Sequence, residues 1–366
     1  MAGIYIHIPF CKSRCAYCDF YSTTGLEWRQ RYVDAVCREY QMRAKYNKER
    51  VRTIYIGGGT PSQLAIPQLR QLLEALPTDD AEEVTLECNP DDVTDEFVSG
   101  LSSLSVNRVS MGAQTFSDER LRFLHRRHKS AQVAQAVNRL RSIGIGNISV
   151  DLIYGFPDET LDDWHEDMDS ALQLQVEHLS AYALQYEAGT LLGRWLEEGR
   201  IREVDEELSR RMYYDLIGRL AAAGYEHYEI SNFARPGFRS RHNSGYWNQT
   251  PYLGLGAAAH SFDGQSRQWN VADVRQYVDG IETGKPCVER EELDADTRYN
   301  EMVMTALRTC EGLSLSSLSG EQRSYCLRLA EPYLQSNLLK KADDHIRLTR
   351  EGLFVSDMVI SDLMIV

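Results

Sequence analysis

Residues 4–20, IYIHIPFCKSRCAYCDF, decide how the chain is read. A short β-type run, IYIHI, leads straight into a loop carrying Cys11, Cys15 and Cys18. The spacing CxxxCxxC lets three thiolates converge on one metal centre without long-range folding. Three ligands are one too few for a closed site. A four-iron cubane held by three cysteines keeps one iron free for an exogenous ligand. The competing assignment is structural zinc with His7 as fourth ligand, and it gives the next motif no role. That motif, GGGTP at residues 57–61, follows a second β-type run, TIYIG, and precedes a helical stretch. Its glycines allow close backbone approach and expose carbonyls and amides to a small ligand.

Outward from this segment, β-rich runs alternate with stretches of helical periodicity from residue 4 to about 190. The candidate strands are IYIHI, TIYIG, VTLEC (84–88), RVSMG (108–112), ISVDLIYG (148–155) and HLSAYAL (178–184). Between them, Trp28 to Lys45, Ile66 to Leu76, Thr94 to Leu104, Ala131 to Ile143 and Leu161 to Leu174 read as amphipathic helices. Repeated βα units build a parallel sheet. Six are too few for an eight-stranded barrel, so the expected fold is α/β, a partial (β/α)6 barrel with functional residues at the C-terminal strand ends. Residues 190–225 look helical. The Gly- and aromatic-rich stretch 225–287 has little periodicity and is expected to close over the barrel mouth. Residues 288–366, including HIRLTREG (345–352), read as a small α+β domain resembling a winged helix. The expected division is therefore 1–224, 225–287 and 288–366.

Of the 366 residues 26% are charged, and the net charge of −14 argues against broad attraction to nucleic acid or anionic lipid. No stretch matches a membrane span or a signal peptide, so a cytoplasmic protein is expected. Of the eight cysteines, Cys37, Cys88, Cys287, Cys310 and Cys326 are scattered and read as buried or idle thiols.

YIHIPFCxxxCxYCDF, GGGTP, MGAQTF (111–116) and DLIYGFP (151–157) resemble the radical S-adenosylmethionine family of oxygen-independent coproporphyrinogen oxidases and their relatives, over nearly the whole chain. The resemblance implies a four-iron four-sulfur (4Fe-4S) cluster on Cys11, Cys15 and Cys18, with S-adenosylmethionine (SAM) on the free iron and its reductive cleavage to a deoxyadenosyl radical. It also implies SAM contacts from Tyr5, Tyr17, Gly58, Gly59, Thr60, Glu87, Gln114, Arg126 and Asp151. Carboxylates such as Glu87 and Asp151 can accept from ribose hydroxyls or the ammonium group. Arg126 and Gln114 can pair with carboxylate or adenosine groups.

Two marks separate the branches of this family. The oxidases resemble CxxxCxxCxC and carry an extra N-terminal segment, whereas Phe20 occupies the fourth-cysteine position and the first strand begins within five residues of the start. HNSGYW (242–247) matches the HNxxYW motif of the haem chaperone branch. An imidazole is a good axial ligand for haem iron, so His242 becomes the candidate ligand, with Tyr246 and Trp247 packing on the macrocycle. His260 is an alternative ligand at the expected mouth. His7 is read as supporting the first strand, and His125 and His128 as lying on a solvated helix start. The implied reading is a haem chaperone serving acceptor haemoproteins, fed by an electron donor such as flavodoxin or ferredoxin. Peripheral membrane contact and a homodimer stay open. The alternatives are oxidative decarboxylation of coproporphyrinogen III and, more remotely, a zinc-dependent nucleic-acid-binding module.

Overall fold

The computed structural model describes residues 2–46 and 48–365. Six parallel strands follow one another in order: β1 (Ala2–Ile8), β2 (Val51–Gly58), β3 (Glu83–Cys88), β4 (Arg108–Gln114), β5 (Ile148–Tyr154) and β6 (His178–Ala183). Helices α1 (Arg29–Arg43), α2 (Ile66–Glu74), α3 (Asp95–Leu101), α4 (Asp118–Phe123), α5 (Ser130–Ser142) and α6 (Leu161–Gln173) form the crossovers. The expected strands and five expected helices are present. The short α4 was not anticipated; Ser117 caps it by accepting from the Arg120 amide. Thr94 and Thr160 cap α3 and α6 in the same way.

Strand side chains alternate with period two. Ile4, Ile6, Ile54, Ile56, Val84, Leu86, Val109, Met111, Val150 and Leu179 pack in the main apolar core. The opposite parity is polar, and Tyr55, Glu87, Arg108, Ser110, Asp151, Ser180 and Tyr182 line one internal cavity. An apolar jacket thus surrounds a polar lumen, the reverse of a barrel closed on a hydrophobic centre.

Helices α7 (Leu191–Glu197) and α8 (Glu206–Ala222) follow β6. Residues 225–287 do not cap the mouth. They form β7 (Glu226–Glu229), β8 (Asn232–Ala234), α9 (Arg241–Trp247), β9 (Tyr252–Leu255), β10 (His260–Phe262), β11 (Ser266–Asn270) and α10 (Val274–Glu282). The β7–β8 hairpin extends the sheet beyond β6, while β9 pairs parallel to β1 and carries β10 and β11 outward. Pairing satisfies strand-edge groups that a loop over the mouth would leave open. Strand β12 (Val288–Glu292) joins β11, so the large sheet continues past residue 287 and ends at twelve strands.

A second apolar core gathers Tyr299, Val303, Leu307, Leu315, Cys326, Leu339, Ile346 and Val359. It lies among α11 (Ala295–Ala306), α12 (Gly320–Gln335), α13 (Arg350–Phe354), α14 (Ser356–Asp362) and a sheet ordered β13 (Leu313–Ser314), β15 (His345–Leu348), β14 (Leu339–Ala342).

Candidate functional site

The three cysteines stand on the loop after β1, at the C-terminal ends of the parallel strands. Backbone bonds clamp that loop: Cys11 N–H donates to Thr23 O, Ala16 N–H to Leu124 O, and Leu192 N–H to Ala16 O. Cys11, Cys15 and Cys18 line one wall of a cavity of about 470 Å³. Among the described residues no group of three or more His, Cys, Asp or Glu side chains closes on a single metal ion. The cavity wall offers three thiols, and His7, the expected fourth zinc ligand, has both ring nitrogens engaged by Tyr5 and Tyr21, a donor set that fits a cubane with one iron left free. Burial raises the Cys11 and Cys18 thiols, the latter to about 11, so iron ligation must release their protons.

The GGGTP turn is built against this loop. A Cβ on Gly59 would stand 2.9 Å from the Pro9 carbonyl carbon and 3.0 Å from Cys11 Sγ; Gly58 has φ +110°, and a Cβ there would strike the His7 ring at 2.6 Å. The two amides are used internally, however. Gly59 N–H donates to Ile8 O, and Gly58 N–H to Glu87 Oε2 at 3.0 Å. The turn therefore grips Glu87 with the Gly58 amide, which is not left exposed for a ligand as expected. Thr60 Oγ1 lies 3.3 Å from Cys11 Sγ.

Tyr17, Gly58, Gly59, Thr60, Glu87, Gln114, Arg126 and Asp151 all line the same cavity. Arg126 Nη1 lies 3.4 Å from Cys15 Sγ, and Nη2 donates to Asn89 Oδ1 and Gly112 O, both at 2.7 Å. Its Nε is buried with no partner. Glu87 accepts from Tyr55 Oη at 2.7 Å, yet burial still raises its pKa to about 7. Asp151 is also raised by burial, against bonds from Ser110 and Ser149. Tyr5 does not reach this wall; its hydroxyl lies 3.0 Å from His7 Nδ1. His7 in turn bonds Tyr21 O through Nε2 and so ties β1 to the cysteine loop, as expected.

Other residues were not anticipated. Arg108, Arg127 and the exposed Phe20 and Tyr182 line the cavity. His125 and His128 line it too: His125 is exposed, as expected, just past the end of α4, whereas His128 is buried instead of solvated, bonds Ala113 O, and burial lowers its pKa to about 4.

The HNSGYW segment lies at the other end of the barrel. Glu83, at the start of β3, accepts from the Arg241 and His242 amides at 2.9 Å each, holding α9 across the N-terminal strand ends. His242 is buried, with its ring against Tyr55 at 5.2 Å. Hydroxyls engage both ring nitrogens, Thr53 Oγ1 at Nδ1 and Tyr246 Oη at Nε2, each at 2.9 Å. Burial lowers its pKa to about 3. As folded, neither nitrogen is free for iron. His242 and Tyr246 line a second cavity of about 250 Å³ below the barrel, which Trp247 does not line. Asn243 faces the upper cavity, so α9 separates the two. His260 lies on the outer sheet extension, exposed and stacked on Trp269, not at the mouth. The strand pairing of residues 252–270 carries it there.

Residues 5–171 match the Radical SAM superfamily, and residues 293–355 match the HemN C-terminal domain. The chain is 35% identical to the "Heme chaperone HemW" of Bacillus subtilis, covering 98% of both chains. It is 35% identical to the protein of the same name from Mycobacterium tuberculosis, covering 99% of this chain and 94% of that one. Among solved structures, the coproporphyrinogen III oxidase HemN of Escherichia coli, a radical SAM enzyme, superposes with a TM-score of 0.84 over 99% of this chain and 90% of the other, at 22% identity. That likeness shows the shared fold.

Proposed function

Because the chain belongs to the haem chaperone HemW family of radical SAM proteins, we propose that it binds haem and passes it to acceptor haemoproteins, with a 4Fe-4S cluster and SAM as resident cofactors. The full-length likeness to proteins of that name carries the reading. Phe20, where the oxidase pattern has a fourth cysteine, supports it. When bound, the cofactor pair supplies one-electron reductive chemistry.

The protein's own residues have separable roles in this reading. Cys11, Cys15 and Cys18 hold the cluster. Gly58, Gly59 and Thr60 shape the cradle beside it. Glu87 and Asp151 accept hydrogen bonds from the ammonium or ribose of SAM, Arg126 offers its unpartnered Nε to the carboxylate, and Tyr17 and Gln114 close the wall. Tyr5 acts one step back, by fixing His7. His242 is the haem ligand, and ligation through Nε2 requires the Tyr246 hydroxyl to swing away. An electron donor such as flavodoxin or ferredoxin serves the cluster, and the protein works in the cytoplasm. Among the described residues no helix is long and apolar enough to cross a membrane; peripheral contact with membrane-bound acceptors belongs to the same reading. Self-association into a homodimer belongs to the same reading and is checked by the sedimentation of the cluster-loaded protein.

The test is anaerobic reconstitution with iron and sulfide, then haem titration into wild type and His242→Ala, followed by the Soret band. Stoichiometric binding that weakens in the variant, without turnover of coproporphyrinogen, is expected. Absence of haem binding together with SAM-dependent decarboxylation of coproporphyrinogen would replace the chaperone by an oxidase.

A further inference from the structure

Arg108 opens β4 with the inward parity of Ser110 and Gly112, and it is 1% exposed. Its Nε and Nη1 are buried without a hydrogen-bond partner, although the side chain lines the main cavity. Glu87 and Asp151 lie close enough to feel its charge, but their hydrogen bonds come from other groups: Glu87 accepts from Tyr55 and Gly58, and Asp151 from Ser110 and Ser149. Thr85, directly across from Arg108 in register, also leaves its buried hydroxyl unpartnered. A buried guanidinium with unmade bonds is costly to keep. It is shaped for a planar, two-oxygen acceptor, which a carboxylate supplies.

Two guanidiniums serve this cavity at different depths. Arg126 grips Gly112 O and stands beside Cys15, at the cluster end. Arg108 lies four residues before Gly112 on β4, so its backbone is about 13 Å below the point that Arg126 grips. The carboxylate of a SAM molecule seated by the cluster loop falls to Arg126. Arg108 is left for a second carboxylate, and its charge also bears on His242 in the floor beneath.

We propose that the lumen below the cluster loop is a carboxylate pocket in which Arg108 receives a propionate arm of the tetrapyrrole. The proposal rests on the haem reading above and adds to it the group that orients the cargo.

The test titrates haem and haem dimethyl ester, whose carboxylates are capped, into the full-length reconstituted protein, and measures SAM affinity on the same samples. Wild type is expected to prefer haem over the ester by about tenfold or more, the size of one charge-assisted hydrogen bond. Arg108→Gln should erase that preference and, with SAM affinity read well above the Glu87 pKa of about 7 so that this carboxylate is ionised in both proteins, leave SAM affinity unchanged. Should the Gln variant not fold, Arg108→Lys decides, because it keeps the charge but loses the fork and should cut the preference several-fold. An undiminished preference in a folded variant overturns the pocket. A loss of SAM affinity with haem binding intact also overturns it, by assigning the guanidinium to SAM. Failure of wild type to bind either tetrapyrrole is a different result, and it overturns the haem reading together with the pocket.

Discussion

At the mouth of the barrel, side chains are held around a space; at the floor, they are held against one another. Arg126 and His242 make the contrast concrete. Both are ionisable and line a cavity, but Arg126 is braced through Nη1 and Nη2 with Nε left over, whereas His242 has both nitrogens satisfied. The mouth is organised in advance for a ligand. The floor is closed on itself, so a ligand there must displace a bond before making one.

The largest effect should come from the mouth. Cys15→Ala is expected to abolish the cluster, read as loss of bound iron and sulfide, and with it SAM binding, while haem affinity stays within about twofold. A parallel fall in haem affinity would show that the two ends do not act separately. Next comes acid stability. An unfolded histidine takes up a proton below about 6.5, but folded His242 resists until about 3. Its stabilising contribution is therefore complete above 6.5 and is lost as pH falls from there toward 3, roughly a few kcal/mol at most. His242→Gln should reduce the slope of that part of a plot of urea midpoint against pH, leaving the share that comes from other buried histidines such as His128.

Glu87 should produce a smaller effect from the same cause, burial, acting in the opposite direction. Burial raises its pKa to about 7, so it gains its charge as pH climbs through neutrality. SAM affinity of the reconstituted protein should rise as pH climbs through about 7, and Glu87→Gln should remove the step; an unchanged profile in the variant would detach the carboxylate from SAM. The smallest change should follow Tyr246→Phe, which frees His242 Nε2 at the cost of one hydrogen bond. Haem affinity should increase by about three- to tenfold, and no increase would mean that the floor does not hold the ligand.

The mouth was legible in the sequence because its parts are local. The cysteine loop, GGGTP and the strand-end polar residues lie within a few residues of strong β-type runs, and in a parallel barrel those ends converge. HIRLTREG was legible for the same reason, being strand β15, the Thr349 cap and the first turn of α13. The floor was not. Residues 225–287 make strands of three to five residues that are anchored by two distant pairings, β8 on β6 and β9 on β1, and periodicity carries no information about such pairing. His260 went to the wrong side of the sheet for that reason. Arg108 left one overlooked signal: in RVSMG it shares parity with Ser110 and Gly112, which puts a charge on the inward face of a strand.

The sheet's closing strand has a consequence for how copies of this protein meet. The added strands cover the outer edge of β1 and move the last unpaired row of amides and carbonyls to β12, whose sequence VEREE is almost entirely charged and exposed. A row of free backbone groups invites another chain to add a strand, and dense charge is a standard deterrent. During synthesis, however, β1 emerges about 250 residues before β9 arrives to cover it. The nascent chain passes through an interval in which an apolar β1 has a bare edge, and aggregation in the cell should be most acute in chains that stall before residue 252.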